Sequence, residues 1–278
     1  MKFRTIIKDD LVIRQFVNIL ISFAKMDKNI MINLKKEKMV IFICCEDVQT
    51  KPICWMDIES STYFTSYFLN GDSPQYDEIY FVLNSSKIIQ SLSGTHRCVN
   101  YFRLKLAKNP FESLVIDTEV TGITSNHKKT MQLPILIIPR RNWSNYHLPT
   151  DLQYDMTVIT TNLKRVRSIV ESAKTLSPEI TICIQRNGTM GFVLENDEFT
   201  TTVQMTHLPI KIHTKSLDEV SCVVNCRKFA AILSQHNFPH ATTSFSIRQD
   251  RVFKCEFEVK RNVMLTCLLP CIYLDDGE

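Results

Sequence analysis

Glycine is scarce in this chain. Six glycines stand among 278 residues, at 71, 94, 122, 188, 191 and 277, below the ~7% of average usage. Neither GxGxxG nor GxxxxGK followed by Ser or Thr can be written from those positions. In such loops glycine lets backbone N–H groups approach phosphates, so the usual dinucleotide enzymes and P-loop NTPases are excluded. Long apolar runs are missing as well. The most apolar stretch, 11–24, is interrupted by Arg14, Gln15 and Asn18 and is shorter than the ~20 apolar residues of a membrane helix. The opening MKFRTIIKDD has no apolar core of a leader, so the expectation is an intracellular, soluble protein without a membrane partner.

What is present is ordinary for a folded protein: 44% hydrophobic and 22% charged residues, with a net charge of +4. The length suits one large domain or two small ones, each able to bury a core. Ten cysteines are material for disulfides, but most alternate with Ile, Val or Leu. That favours reduced thiols packed as small hydrophobes.

The pattern of elements runs twice. A short strand at 2–7 precedes a helix from Asp9 to Lys25, in which Leu11, Val12, Phe16, Ile19, Leu20 and Phe23 recur at helical spacing and Asp9 or Asp10 can cap the start. Strands are expected at 29–34, 39–44, 53–58, 63–69 and 78–83, a short helix at 85–93, then strands near 98–107, 111–120 and 129–138. Residues 139–152, PRRNWSNYHLPTDL, are polar and proline-bearing without periodicity and read as a linker. The order then restarts: a strand at 156–160, a helix at 162–175, and strands flanking Arg186-Asn187-Gly188, where Asn-Gly is a strong hairpin signal. A strand at 199–205, a polar connection, a strand at 220–226, a helix at 227–236 and three strands to 269 complete it. This is an internal structural duplication of an α+β kind, with antiparallel sheets and helices on one face. The expected division is 1–138, a connecting segment at 139–152, and 153–278.

Charge follows the helices. The helical segments with their flanks (8–28, 84–97, 162–174, 227–236) hold twelve basic residues against four acidic ones, while the rest of the chain is net acidic. Arg14 and Lys25 share one polar stripe and Lys164, Arg167 and Lys174 another. One such helix needs no explanation beyond a solvated face. Four leaning the same way indicate an anionic partner, and a basic surface without a sequence-reading motif suits a phosphate backbone.

Cys222-x3-Cys226 followed by His236-x3-His240 resembles a zinc site, but nine residues separate Cys226 from His236 where ~12 is usual. Cys222 and Cys226 also alternate with Val220 and Val224 as core residues do. Cys44-Cys45 and Cys267-x3-Cys271 have no ligand companions nearby. A cysteine- or zinc-dependent enzyme stays open as a reading without a local signature. No cofactor is called for.

Several segments in collinear order carry a family likeness. They are MKFR at 1–4, the stretch from Glu59 through Tyr63, Phe64 and Phe68 to Gly71, EIYFVL at 78–83, and LPILIIPRRNW at 133–143. With the tandem element order, the chain resembles the DNA sliding clamps of the proliferating-cell-nuclear-antigen fold, and among them the Hus-one type of the nine-one-one checkpoint ring. The resemblance implies a non-enzymatic nuclear subunit that closes with Rad-nine-type and Rad-one-type partners around double-stranded DNA, without sequence specificity, placed there by a checkpoint clamp loader. It implies DNA-facing Arg14, Lys25, Lys87, Lys164, Arg167, Lys174, Arg227 and Lys228. It implies subunit-pairing edges at 129–138 and 199–205, carried by Met131, Leu133, Ile135, Thr200, Thr202 and Gln204. Arg140, Arg141 and Trp143 would mark a docking place for partner peptides, with Trp143 anchoring the linker. The alternative is a subunit of a homotrimeric replication clamp.

Overall fold

The computed structural model describes residues 1–43, 52–71, 75–93, 99–121, 126–196, 198–214, 216–235, 240–259 and 263–272. The chain divides into two compact units, one built from 1–44, 55–147 and 261–263, the other from 45–54, 148–260 and 264–278.

The first unit runs β1 (Lys2–Ile7), α1 (Asp10–Met26), β2 (Asn29–Leu34), β3 (Lys38–Ile43), β4 (Ile53–Glu59, the unit beginning at Trp55), α2 (Ser60–Tyr63), β5 (Ser66–Asn70), β6 (Ile79–Asn84), α3 (Ser85–Leu92), β7 (Val99–Ala107), β8 (Ser113–Thr121) and β9 (Asn126–Ile137). Its strands lie in the order β4-β3-β2-β6-β9-β8-β7-β1-β5. Asp9 opens α1 as expected, its Oδ1 accepting from the Leu11 and Val12 N–H groups at 2.9 and 3.2 Å, so two otherwise orphaned donors are satisfied. The apolar stripe of α1 buries Phe16, whose ring meets Tyr63, Phe64 and Phe102 at 6.1, 5.9 and 5.7 Å. The aromatic stretch expected as one strand from 63 is therefore split. Tyr63 and Phe64 leave the sheet to reach Phe16, and only Ser66–Asn70 pairs with β1.

The second unit repeats the order: β10 (Met156–Thr160), α4 (Leu163–Leu176), β11 (Glu179–Gln185), β12 (Thr189–Glu195), β13 (Thr200–Met205), β14 (Ile210–Ile212), β15 (Glu219–Asn225), α5 (Cys226–Gln235), β16 (His240–Arg248), β17 (Val252–Val259) and β18 (Val263–Pro270). Two sheets form, β14-β10-β16-β17-β18 and β13-β12-β11-β15. The Asn187-Gly188 turn joins β11 to β12 as expected, with Gly188 at φ +79°, a conformation costly for any residue with a Cβ. Phe229 of α5 packs on Phe253 and Phe245 at 5.2 and 6.4 Å. The polar connection after β13 holds a strand that sequence reading missed: Ile210 and Ile212 pair with Val158 and Met156. Two apolar residues flanking one lysine are too short a run to stand out by periodicity.

Candidate nucleic-acid interface and assembly edges

In each unit two helices lie side by side, α1 against α3 and α4 against α5. Three of them start on a neutral cap. Asn84 Oδ1 accepts from Lys87 N–H at 3.3 Å, Asn162 Oδ1 from Arg165 N–H at 3.2 Å and Asn225 Oδ1 from Lys228 N–H at 3.0 Å. Their first turns contain no acidic residue.

The eight expected DNA-facing cations fall into distinct groups. Lys25, Lys87, Lys164 and Arg227 are exposed and make no ion pair among the described residues. Arg14 is held by Asp10 through two hydrogen bonds of 3.0 and 2.7 Å, and Lys174 pairs with Glu171. Arg167 and Lys228 are half-buried, and burial lowers the Arg167 guanidinium from its ordinary value. It remains a cation at neutral pH, because a free arginine starts so high. Between α4 and α5 a groove of about 390 Å³ is lined by Lys174, Arg227, Thr175, Ser234 and Glu171.

The two expected edges are β13, which ends its sheet, and the part of β9 that precedes its pairing with β6; their hydrogen-bond parity can be read residue by residue. In an antiparallel pair, opposite residues alternate between bonded pairs and pairs whose N–H and C=O point away. Asn196 N–H bonds the Phe199 carbonyl at 3.1 Å. Counting along the β12–β13 register, Leu194 with Thr201, Phe192 with Val203 and Met190 with Met205 are bonded pairs. Thr200, Thr202 and Gln204 therefore direct their backbone groups to the open side, and their side chains are exposed. On β9 the same count places the outward backbone groups on other residues than those expected to carry the edge. Ile135 N–H bonds the Glu112 carbonyl at 3.0 Å and Ile138 N–H the Tyr80 carbonyl at 2.9 Å. Met131, Leu133 and Ile135 thus turn their backbone groups toward β8, and Ile135 is further enclosed by its pairing with Leu83 of β6. The residues presenting backbone at the open edge are Lys128, Thr130 and Gln132, one position off the expected set. Apolar alternation marks which side chains are buried; it does not mark which neighbour the backbone bonds.

Residues 140–146, expected to be irregular, form a 3-10 helix, Arg140–Tyr146, lying in the first unit. Trp143 anchors it, as its position suggested: the indole N–H donates to the Ile138 carbonyl at 3.0 Å and the ring packs, tilted by 36°, against Tyr80 at 4.9 Å. Arg140 sits 3.2 Å from the Tyr76 ring centre, a cation–π contact. Arg141 is exposed.

The cysteines of the zinc-like pattern are core residues. Cys222 and Cys226 are fully buried, the Cys226 thiol reaches the Val170 carbonyl at 3.7 Å, and His236 lies outside the described residues, as do Cys44, Cys45 and the acidic tail at 275–278. Burial pushes the Cys226 thiol up to about 11 and also raises Cys222, Cys255 and Cys267 well above the ordinary thiol range, which keeps them protonated and poor as nucleophiles.

Residues 1–273 match the sequence model of the Hus1-like protein family. The chain belongs to that family. It is 24% identical over 277 residues to the fruit-fly (Drosophila melanogaster) Checkpoint protein Hus1-like, covering 98% of this chain and 99% of that protein. It is 25% identical over 198 residues to the human (Homo sapiens) Checkpoint protein HUS1, covering 71% of this chain and 70% of that one. Among solved structures, the proliferating cell nuclear antigens of Thermococcus kodakaraensis and Entamoeba histolytica superpose with TM-scores of 0.74 and 0.73, each at 13% identity. They cover 97% and 98% of this chain and 100% and 99% of their own. The fold is that of the sliding clamps, and family and fold together make this Hus1-like chain a checkpoint clamp subunit.

Proposed function

We propose that this chain is one of three non-identical subunits of a ring that closes around duplex DNA, with Rad-nine-type and Rad-one-type neighbours, placed by a checkpoint clamp loader in the nucleus. It acts without catalysis of its own. The observation that carries the reading is the pair of open-edged strands, β9 in one unit and β13 in the other, each with a run of outward backbone groups. Unpaired edges template strand addition, and one such edge in each half suits a closed ring of strand-paired subunits. Residues 139–152 serve as the connecting segment between the halves. The cationic helices hold the duplex through its phosphates, so binding is salt-sensitive and blind to sequence. Once the ring is closed, modest electrostatics suffice, because the DNA is retained by topology and can slide.

Size exclusion with light scattering tests the assembly. The chain alone should run near its 32.3 kDa mass and enter a 1:1:1 complex with the two partner types. A particle of three times that mass without partners would establish the homotrimeric alternative. A chain indifferent to both partners would overturn the ring.

A further inference from the structure

The face of the β14-β10-β16-β17 strands turned away from the second unit's core carries a cleft of about 610 Å³. The register gives its floor. Lys211 lies opposite Thr157, Thr157 opposite Ser246, and Ser246 opposite Lys254. This row runs cation, hydroxyl, hydroxyl, cation across four strands. Two residues along the same strands stand Asp155 and Arg248; two residues the other way stand Ile159, Ser244 and Glu256. Met156, Val158, Phe245, Ile247, Phe253 and Cys255 alternate with them and are buried, so the polar set lies on the opposite face, with Lys211 exposed, Thr157 and Arg248 half-buried and Ser246 buried at the bottom of the cleft.

The acids of the cleft are already engaged. Asp155 accepts from the Thr214 hydroxyl at 2.6 Å and from the Gln249 N–H at 2.9 Å. Glu256 accepts from Lys254 at 3.0 Å and from the Ser244 hydroxyl at 3.1 Å, while the Lys254 ammonium also lies 4.3 Å from the Tyr154 ring centre. The cations on the other side are not so engaged: Arg248 and Lys211 make no ion pair among the described residues. The Thr157 hydroxyl is hydrogen-bonded to the buried Ser246 hydroxyl at 2.9 Å. His213 stands 3.5 Å from the Thr157 hydroxyl.

We propose that this cleft binds the phosphoryl group of a phosphoserine or phosphothreonine in an extended peptide. A phosphoryl group at neutral pH carries about two negative charges and three strong acceptor oxygens. Neighbouring strands place side chains about 4.8 Å apart and alternate residues of one strand roughly 6.8 Å apart. One tetrahedral anion seated over Thr157 is then within reach of both the Arg248 guanidinium and the Lys211 ammonium. Charge-assisted bonds to a guanidinium are stronger than neutral ones and fit phosphate geometry. The hydroxyl-lined floor favours such a group over an apolar side chain.

The cleft is built within one chain and needs no ring closure, so the full-length chain alone suffices to test it. Fluorescence anisotropy would compare three labelled peptide pools, randomised around a fixed phosphoserine, serine or glutamate. The expected result is saturable binding of the phosphoserine pool, at least tenfold weaker binding of the other two, and competition by inorganic phosphate. Arg248→Ala and Lys211→Ala should each weaken binding at least fivefold with an unchanged melting profile, while Lys164→Glu on α4 should leave it unaltered. Equal binding of the glutamate pool, or wild-type binding by both cleft variants, would overturn the assignment. Lys211 is exposed on the short edge strand, so its variant tests the site even if Arg248→Ala perturbs folding.

Discussion

Parity along β13 makes adjacent proline substitutions unequal. Thr202 directs its N–H to the open edge, whereas Val203 exchanges both backbone bonds with Phe192. Proline removes the N–H and fixes φ near −65°, and strands tolerate it only where that N–H faces outward on an edge. Thr202→Pro should therefore change the stability of the isolated chain by less than about 1 kcal/mol, since no intrachain bond is lost. Assembly should suffer far more. One interchain backbone bond of about 1 kcal/mol disappears, and the pyrrolidine ring occupies the approach of the neighbouring strand, for a total of about 2–3 kcal/mol, or a 30- to 150-fold weaker association. Val203→Pro should do the opposite first: it orphans the Phe192 carbonyl and should cost about 2–4 kcal/mol of the chain's own stability. Thermal unfolding of the isolated variants, with a light-scattering dilution series of the three-subunit mixture, separates these effects. If Thr202→Pro assembles like the wild type, β13 is not a subunit edge. If both variants melt alike, the parity assignment itself is wrong.

Replacing Lys25, Lys87, Lys164 and Arg227 together by Ala should flatten the salt dependence of duplex binding by the assembled ring, by about 0.9 in log K per log salt for each phosphate no longer neutralised. Replacing Arg14 and Lys174, already paired with Asp10 and Glu171, should change it less; equal slopes would refute the sorting. Trp143→Ala removes the bond to Ile138 and the ring contact with Tyr80 and should cost about 2 kcal/mol, read as a lower melting temperature and faster protease cleavage within 139–152. Cys226 is raised from 9.0 to about 11 in the folded chain, so its stabilising share is complete below pH 9 and is lost as pH climbs through that window. Between pH 9.5 and 11 a Cys226→Ala variant should lose stability about 1 kcal/mol per pH unit less steeply than the wild type; parallel slopes in denaturant melts would count against it.

Much of the fold was legible because its signals are local. Asp9 caps α1 and Asn187-Gly188 turns a hairpin for reasons contained in a few residues. The duplication was visible because each helix carries its own apolar stripe. What stayed hidden depends on partners far along the chain. Tyr63 and Phe64 leave the strand pattern to meet Phe16. Ile210 and Ile212 become a strand because β10 is there to pair with. The open edge of β9 lies at Lys128, Thr130 and Gln132 because bonding to β8 and β6 claims the intervening residues. Charge sorting by helix found the cationic faces, but only side-chain geometry shows that Arg14 and Lys174 are spoken for.

The capping residues link stability to the proposed binding of DNA. Aspartate caps a helix as well as asparagine does, and its charge adds about 0.3–1 kcal/mol at the positive end of the helix dipole. On stability alone α3, α4 and α5 would do better with it. All three instead use Asn, at 84, 162 and 225, with no acid in the first turn, whereas α1, capped by Asp9 and followed by Asp10, has its Arg14 neutralised. Neutral caps keep negative charge away from Lys87, Lys164, Arg165, Arg227 and Lys228. The triple variant Asn84→Asp, Asn162→Asp, Asn225→Asp should therefore melt no lower than the wild type, yet bind duplex more weakly and with a shallower salt slope when assembled. If it binds duplex as well as the wild type at both low and near-physiological salt, the helix N-termini do not face the phosphates, and the cationic stripes must meet the DNA along their middles alone.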